Sequence, residues 1–484
     1  MSEQSDIIII YDNPGFSEPI EYSFNLIFST YGLSYEIMSF NQFRAKEYNL
    51  DGTLVISYGT KYLDIVAKKQ IHVYTSDFFG NDYLKPSSMP GTPLKYYHGV
   101  PVIYAGRGKL DNFVQESPSR IETNIDIIAG AFFMLSRYEE VVLNERDKLD
   151  RFPASASLAY KEGFLDRPIV NEYIELLWDW IDSFNLSTKR KSLWGDKDFA
   201  VCLTHDVDKI KKTLRDVGYV LVRRRDTKTF LAAAVNYLRI KAGFVRDPLD
   251  SLSHITDMEE KYGCSSSFYF IAGGDTRHDK NYSIESLKIA SFINYLDTSG
   301  FEVGLHPSFN SYNDFEALVG EKGKLEGVVG HCISGARQHY LRWSTPESWR
   351  ILEEAGIQYD STLGFAEREG FRCGICFPFR PFDVIRNRKL NIWEVPLVIM
   401  DASLIDYQRM TSEEGIKRIQ DVIQTIKRYR GVFVLLWHNG AFDELKYPGW
   451  SKVYEQILEY LDGEDCFCSS CKDIIEWWEN SIYG

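Results

Sequence analysis

Between residues 7 and 106, short apolar runs (IIIIYD, SYEIMSF, TLVISYG, IHVYTS, VPVIYAG) alternate with polar turns and one segment of helical period around 21–31. Runs of this length bounded by turn residues predict strands, and their spacing predicts a small mixed α/β unit that opens strand, helix, strand. Two stretches then carry apolar residues at helical spacing, DIIAGAFFMLSRYEEV at 126–141 and NEYIELLWDWIDSF at 171–184, with Pro, Ser and Ala between them near 150–160. After a polar segment at 187–198 the texture changes. FAVCLTHD, SSSFYFIAG, FEVGLHPS, GHCISGARQHY, EVPLVIMD and FVLLWHN follow one another, separated by helical spans. That alternation predicts a parallel sheet or barrel. The expected fold class is α/β, with a mixed α/β domain over 1–195 and a larger (β/α) domain over 199–484. A helical insertion at 209–250 interrupts the second.

Composition adds limits to this picture. With 484 residues, 44% of them hydrophobic and 26% charged, the chain has the side chains for more than one core, and disorder is excluded. Lys plus Arg number 55 against 69 Asp plus Glu, so the net charge of −14 excludes a generally basic nucleic-acid coat. MSEQSDIIIIYDNPG lacks the basic region and small-residue cleavage site of a secretory signal, and no run approaches 18 apolar residues. The expectation is a soluble, cytoplasmic protein. Eight cysteines are sparse for this length, which makes reduced thiols the default. Cys373-x-x-Cys376 and Cys468-x-x-Cys471 have zinc-knuckle spacing, although solitary buried thiols are the favoured reading. Trp477-Trp478 reads as core packing. Gly273-Gly274 lacks the Walker lysine and the dinucleotide fingerprint, so nothing points to a nucleotide.

Charge is not spread evenly. The insertion holds 11 Lys or Arg against 4 Asp, a net +7 that leaves −21 on the rest of the chain. Solvated helices are one explanation. Arg223-Arg224-Arg225 beside Tyr219, Val220, Leu221 and Phe230 also reads as an interfacial helix, suited to peripheral contact with anionic headgroups or a lipid-linked glycan diphosphate.

Candidate chemistry sits at strand ends. VCLTHDVD finishes with Asp206 and Asp208, EVGLHPS with His306, and FVLLWH with His438. In parallel α/β folds these ends line the active site, so recurrence at three of them outweighs any one. Asp206 and Asp208 are two apart, which aims both to one side of an extended strand. Paired carboxylates repel unless neutralised, and a divalent cation does this while leaving one of them ionised as a base.

The order Thr204-His-Asp206-Val-Asp208, His306-Pro-Ser-Phe-Asn310, Arg337-Gln-His339-Tyr340 and Leu436-Trp-His438 resembles the motifs of the polysaccharide deacetylase family, carbohydrate esterase family four, over roughly 199–484. The resemblance implies a distorted (β/α)-barrel of fewer than eight strands. It also implies a hydrolase that removes N- or O-acetyl groups from sugars with a bound divalent metal, often zinc. Asp206 then matches the catalytic base and Asp208 a metal-binding carboxylate. His306 matches the first histidine of a His-(Ser/Thr)-x-x-His motif whose second histidine is replaced by Asn310. The third ligand is therefore the Asn310 carbonyl oxygen, water, or a displaced histidine among His205, His331 and His339. Arg337 matches the arginine that orients the catalytic acid residue through its bidentate fork. His339 stands in a proline's place, and Tyr340 keeps the aromatic wall of the substrate groove. His438 matches the histidine that protonates the leaving group, near its ordinary pKa of about 6.5. Asp401, ending EVPLVIMD, is expected to orient His438 and to line the substrate side with His339 and Tyr340. The N-terminal Ser136-Arg137-Tyr138-Glu139-Glu140 and Arg151-Phe152-Pro153 resemble an uncharacterised domain found ahead of such catalytic domains in bacterial proteins. The partner so implied is an acetylated carbohydrate, lipid-linked in one version. Two alternatives use the same barrel: a catalytically silent carbohydrate-binding or scaffold protein, and a hydrolase of a non-sugar C–N bond.

Overall fold

The apolar runs of the first hundred residues become the core of a six-stranded sheet. β1 (Ile7–Tyr11), β2 (Tyr35–Ser39), β3 (Leu54–Gly59) and β4 (Lys69–Tyr74) lie parallel in the order β2-β1-β3-β4. β1 and β3 are buried along their whole length, as parallel strands covered on both faces are. β5 (Lys95–Tyr97) and β6 (Val100–Val102) form a separate hairpin. β7 (Val114–Ser117) and β8 (Arg120–Thr123) complete the sheet, with β8 parallel to β4. Sequence patterning missed this last pair because VQES and RIET are short and carry charged residues, and VQES is largely exposed at the sheet's edge. The computed structural model describes residues 5–63, 65–186, 190–224, 226–279 and 282–483, with the side chains of 223, 224 and 483 outside that description. The arginine run at 223–225 consequently lies outside the described residues.

The single helix expected over 126–141 is two. Ile127–Leu135 and Tyr138–Val142 are separated by a break at Arg137, whose backbone is left-handed with φ 51°. The break is driven by side-chain chemistry. Arg137 is buried, its Nε donates to Glu140 Oε1 at 2.9 Å and its Nη2 to Glu139 Oε1 at 2.8 Å. Arg372 donates to both oxygens of Glu140 at 2.8 Å. A continuous helix would let Arg137 meet Glu140, three residues on, but not Glu139, two residues on, and the break lets one guanidinium reach both.

The second sheet is wholly parallel. β9 (Phe199–Val207), β10 (Ser266–Phe270), β11 (Glu302–Leu305), β12 (Gly335–Ala336) and β13 (Tyr359–Asp360) are followed by a small hairpin of β14 (Phe382–Asp383) and β15 (Arg388–Lys389). β16 (Trp393–Glu394), β17 (Ile399–Met400), β18 (Val432–Leu436) and β19 (Cys466–Cys468) complete it. The order is β16-β13-β12-β11-β10-β9-β18-β17, with β19 alongside the start of β9. Nothing pairs β16 with β17 among the described residues, so the sheet is an open half-barrel. It has nine strands rather than fewer than eight, and four of these are only two residues long. Its interior is filled by aromatic side chains, with Tyr269 and Tyr359 joined through their hydroxyls at 3.0 Å. Gly304 and Gly335 make room for these rings, because a Cβ at either would collide with Tyr269 or Tyr359 respectively.

One hydrophobic core runs through both sheets. Phe382 packs edge-on to Phe132 and tilted on Tyr22, each at 5.1 Å, and Trp194 stacks with Trp478 at 5.6 Å. Backbone bonds cross as well, from Val170 N to Gly374 O at 2.7 Å and from Phe371 N to Leu165 O at 2.8 Å. The thiol expectation needs correction. Cys202 in β9 and Cys471 are joined in a disulfide, which also removes Cys471 from the four-thiolate arrangement. Cys373 and Cys376 are buried free thiols. Trp478 is buried, whereas Trp477 is partly exposed, so only half of that pair is core. Among the described residues no helix is long and apolar enough to cross a membrane.

Candidate active site

Every strand of the half-barrel runs the same way, so residues at their C-terminal ends emerge on one side. β9 carries Asp206 and leads to Asp208, β11 to His306, β12 to Arg337 and His339, β13 to Ser361, β17 to Asp401 and β18 to His438. Asp206, Asp208, His306, His339, Tyr340, Asp401 and His438 line a single cavity of about 330 Å³. Arg337 lies behind it, fully buried. Of the nine residues singled out in the sequence, Asn310 alone is elsewhere.

Asp206 is held by a buried cation. Arg337 Nη1 lies 3.4 Å from Asp206 Oδ1 and donates to Thr204 Oγ1 at 2.5 Å. Its remaining donors are fixed on Ser361, Nε on the carbonyl at 2.7 Å and Nη2 on the hydroxyl at 2.8 Å. The guanidinium also sits over the Tyr269 ring at 4.8 Å. The contact with Asp206 is therefore end-on rather than the expected bidentate fork, since the other edge of the guanidinium is anchored on β13.

Three histidines surround Asp208. His306 Nε2 and His339 Nε2 approach its Oδ1 at 3.3 and 3.4 Å, and His438 Nε2 approaches Oδ2 at 3.9 Å. His306 Nδ1 meets the Arg337 carbonyl at 2.5 Å. A carbonyl only accepts, so Nδ1 carries the proton and Nε2 is the nitrogen turned to the carboxylates. His438 is held the same way from another strand: Nδ1 lies 2.6 Å from Asp401 Oδ1, and its backbone N donates to Asp401 Oδ2 at 2.9 Å.

These contacts set the charges. Burial opposes ionisation of Asp208, but His339, His306 and His438 more than offset it and hold the carboxyl well below its ordinary range. Burial likewise disfavours imidazolium at His306, yet Asp206 and Asp208 raise its pKa. At His438 burial is again outweighed, chiefly by Asp401, and the pKa is pushed up to about 10 rather than resting near 6.5. His339 goes the other way. Burial lowers it to about 4, so it is a neutral imidazole at pH 7.

Asp208, His306 and His339 offer one ligand atom each, all within 4.8 Å of one another. Asp208 Oδ1 is shielded from water and has no hydrogen-bond partner, as has His339 Nδ1. A shielded carboxylate oxygen facing two imidazole nitrogens is a costly arrangement by itself and a favourable one around a divalent cation. The donor set fits such an ion. Asn310, the expected third ligand, is exposed on the turn beyond β11. It is carried away because Ser308 binds Glu321 through both its backbone N and its hydroxyl, which turns the chain outward after Pro307. Of the displaced histidines considered, His205 is committed to Glu259 at 2.8 Å and the Trp437 carbonyl at 2.8 Å. His331 is partnered with Asp297 at 2.7 Å on the exposed surface.

Two contributors were not assigned to the site by sequence reasoning, although Arg151 was among the residues that carried the N-terminal resemblance. Arg151 reaches the cavity from the N-terminal part, donating to the Tyr340 carbonyl at 3.0 Å and the Tyr407 hydroxyl at 3.3 Å. It thereby holds a turn in which Tyr340 and Leu341 are both left-handed, with φ 61° and 54°. Such backbone costs about 1–3 kcal/mol per residue and persists where its surroundings impose it. Here it points His339 inward and leaves Tyr340 across the mouth. Asp279 anchors the facing loop through Thr276 and Phe309 N and lies 4.0 Å from His339 Nδ1. Nothing in one-dimensional spacing marks either residue.

Residues 8–185 match a family described as a family of unknown function (DUF7033). No curated protein matches the chain. Among solved structures, the chain is similar to a protein from Mycobacterium smegmatis assigned as a polysaccharide deacetylase, with 16% identity over 60% of this chain and 93% of that one and a TM-score of 0.41. A protein of the same assignment from Pseudomonas aeruginosa PAO1 shares 12% identity over 59% of this chain and 92% of its own, with a TM-score of 0.40. A CE4 family pseudoenzyme from Bacillus anthracis shares 10% over 58% and 66%, with a TM-score of 0.30.

Proposed function

We propose that the chain is a metal-dependent hydrolase that removes acetyl groups from a sugar or glycan, with 199–484 as the catalytic unit and 1–195 as a unit packed against it. The observation that carries this reading is the convergence of three devices on one cavity. A carboxylate is held by a buried arginine, a shielded carboxylate oxygen faces two imidazoles, and a histidine is kept protonated by an aspartate. Amide or ester hydrolysis needs a water stripped of a proton, a sink for the developing oxyanion and a proton for the leaving group. The motif order supports assigning these tasks to the three devices.

In this reading Asp208, His306 and His339 hold the cation, and one carboxylate with two imidazoles is a zinc-type donor set. Bound there, the ion supplies Lewis acidity toward a carbonyl and toward water. Asp206 accepts the water's proton as general base, while Arg337 fixes its orientation. His438 is protonated at neutral pH and donates from Nε2 to the leaving nitrogen or oxygen, because Asp401 occupies its Nδ1. Tyr340, Tyr407 and Met400 give the cavity apolar and aromatic walls among these polar groups, a lining suited to the face of a sugar ring. The silent alternative rested on the lost ligand at Asn310, and His339 beside Asp208 offers a replacement for it.

Metal analysis of the purified protein, followed by acetate release from N- and O-acetylated sugars, tests the reading. Asp206→Asn is expected to cut turnover by about 10²- to 10⁴-fold with metal content unchanged. Full turnover in that variant removes the base assignment. No acetate release by the metal-loaded protein from any acetylated sugar or oligosaccharide removes the reading itself.

A further inference from the structure

We infer that the helical hairpin inserted at 209–250 is a docking surface for an anionic lipid bilayer. Its helices, Leu214–Arg224 and Thr227–Lys241, pack together through Val217, Val220 and Ala233, with Phe230, Tyr237 and Leu445 against them. This packing uses one side of each helix. Left outside it are Leu214, Leu221 and Val222 of the first helix and, on the face of the second helix away from the packing, Leu231, Val235 and Leu238, between 39% and 73% exposed. The latter three recur at i, i+4 and i+7, a stripe along one face, and Phe244 just beyond is 80% exposed. Eight of the nineteen large apolar or aromatic side chains that stand exposed among the described residues fall in this segment. A face meant only for water does not concentrate them so.

Charge identifies the occupant. Lys228, Arg239 and Lys241 are exposed beside the stripe, and the segment as a whole carries 11 basic against 4 acidic residues. An apolar stripe bordered by Lys and Arg is what a helix needs in order to lie in a bilayer interface, with its apolar side chains among the acyl chains and its cations at anionic headgroups. A second copy of the chain fits poorly. Hairpin against hairpin sets like charge against like, and among the described residues the other exposed apolar side chains are scattered over the rest of the chain, whose net charge is −21.

The hairpin is fixed to the cavity. Asn439, next to His438, donates to the carbonyls of both stems, Lys209 at 2.7 Å and Leu249 at 2.6 Å. Lys212 pairs with Asp443 at 2.5 Å, and Tyr219 donates to Asp406 Oδ1 at 2.9 Å. Lys209 and Leu249 also line the cavity, so docking sets the cavity beside the lipid surface. The inference does not depend on what the cavity does.

Flotation of the full-length chain with vesicles of phosphatidylcholine, with and without phosphatidylglycerol, tests it without any activity measurement. The protein is expected to float with the anionic vesicles at low salt and to stay behind with phosphatidylcholine alone or in high salt. Leu231→Ser combined with Val235→Ser and Leu238→Ser lowers the bound fraction by about tenfold or more, at an unchanged melting temperature because these positions face outward. Lys228→Glu with Arg239→Glu has the same effect while keeping the apolar stripe. Failure to float at low salt overturns the inference. So does equal flotation of wild type and both variants, or a triple variant that only converts a dimer to a monomer.

Discussion

Asp208 Oδ1 is the atom around which the site is organised, since it is shielded from water and two strands aim an imidazole nitrogen at it. The identity of the second imidazole makes a sharp prediction. Changes to groups that only orient a ligand cost about 10- to 100-fold in metal affinity, so removing a ligand costs at least about 100-fold. His339→Ala is therefore expected to weaken zinc binding by that much in competition with a coloured chelator, and Asn310→Ala to leave it unchanged. The reverse result would restore the spacing argument that favoured Asn310. Strand ends were legible in the sequence because an apolar run that stops at an acid or a histidine is a one-dimensional event. The choice of His339 was not, because it depends on the chain beyond His306 swinging toward Glu321 and on a left-handed turn after β12. The charge of His438 was hidden for a similar reason: the aspartate that lifts it stands 37 residues away.

Elements are fixed by partners that periodicity does not reveal. The 126–141 stretch has uninterrupted helical spacing, and it breaks where Arg137, Glu139, Glu140 and Arg372 form a buried ion cluster. Removing one member strands the others, which typically costs about 3–5 kcal/mol. Glu140→Gln is expected to lower stability in urea by that order. A pH dependence follows. Burial opposes the charge on Glu140, but Arg372 and Arg137 overcome it and bring the pKa from 4.5 to about 2. A carboxylate depressed in the folded state stabilises fully above its unfolded pKa, and loses that contribution as pH falls toward the folded value. The shift corresponds to about 3 kcal/mol. Burial raises the pKa of Glu139, giving that neighbour the opposite sign, and it is present in both proteins. The stability difference between wild type and Glu140→Gln should accordingly narrow as pH drops from about 5 to about 3. A difference that stays constant over that interval would show that the cluster does not hold Glu140 ionised. Of the two-residue strands, β12 and β17 fall inside the runs GHCISGARQHY and EVPLVIMD and β16 only touches the second, whereas β13 was invisible. Runs so short carry no period, and their positions are set by the aromatic interior that Gly304 and Gly335 admit.

At the scale of the whole molecule, length and texture predict a seam near 195, whereas burial runs straight across it. Phe382 packs against Tyr22 and Phe132, Gly374 and Phe371 bond to the backbone of 165–170, and Trp194 donates to the Arg430 carbonyl at 2.7 Å. Patterning marks which residues are apolar but not which apolar face they meet, so two units sharing one core read as two domains. The disulfide between Cys202 and Cys471, 269 residues apart, ties the first barrel strand to the last helix within the second unit only. It therefore cannot replace the missing partner if the N-terminal part is removed. Residues 199–484 expressed alone would bare Phe371, Phe377, Phe382 and Trp478, and would lose the Arg137–Glu140 half of a cluster whose Arg372 stays behind with its charge unpaired. Each large aromatic side chain left in water forfeits about 1.5–3 kcal/mol, and an uncompensated buried charge a comparable amount. Together these approach the whole stability of a typical domain, about 5–15 kcal/mol. The fragment is expected to be insoluble or to bind a hydrophobic dye and yield rapidly to protease, and co-expression with 1–198 should restore a protease-resistant complex. A soluble, cooperatively melting 199–484 fragment would mean that the barrel folds by itself. In that case Arg151, the one cavity residue it lacks, becomes the test of what the N-terminal part contributes to the site.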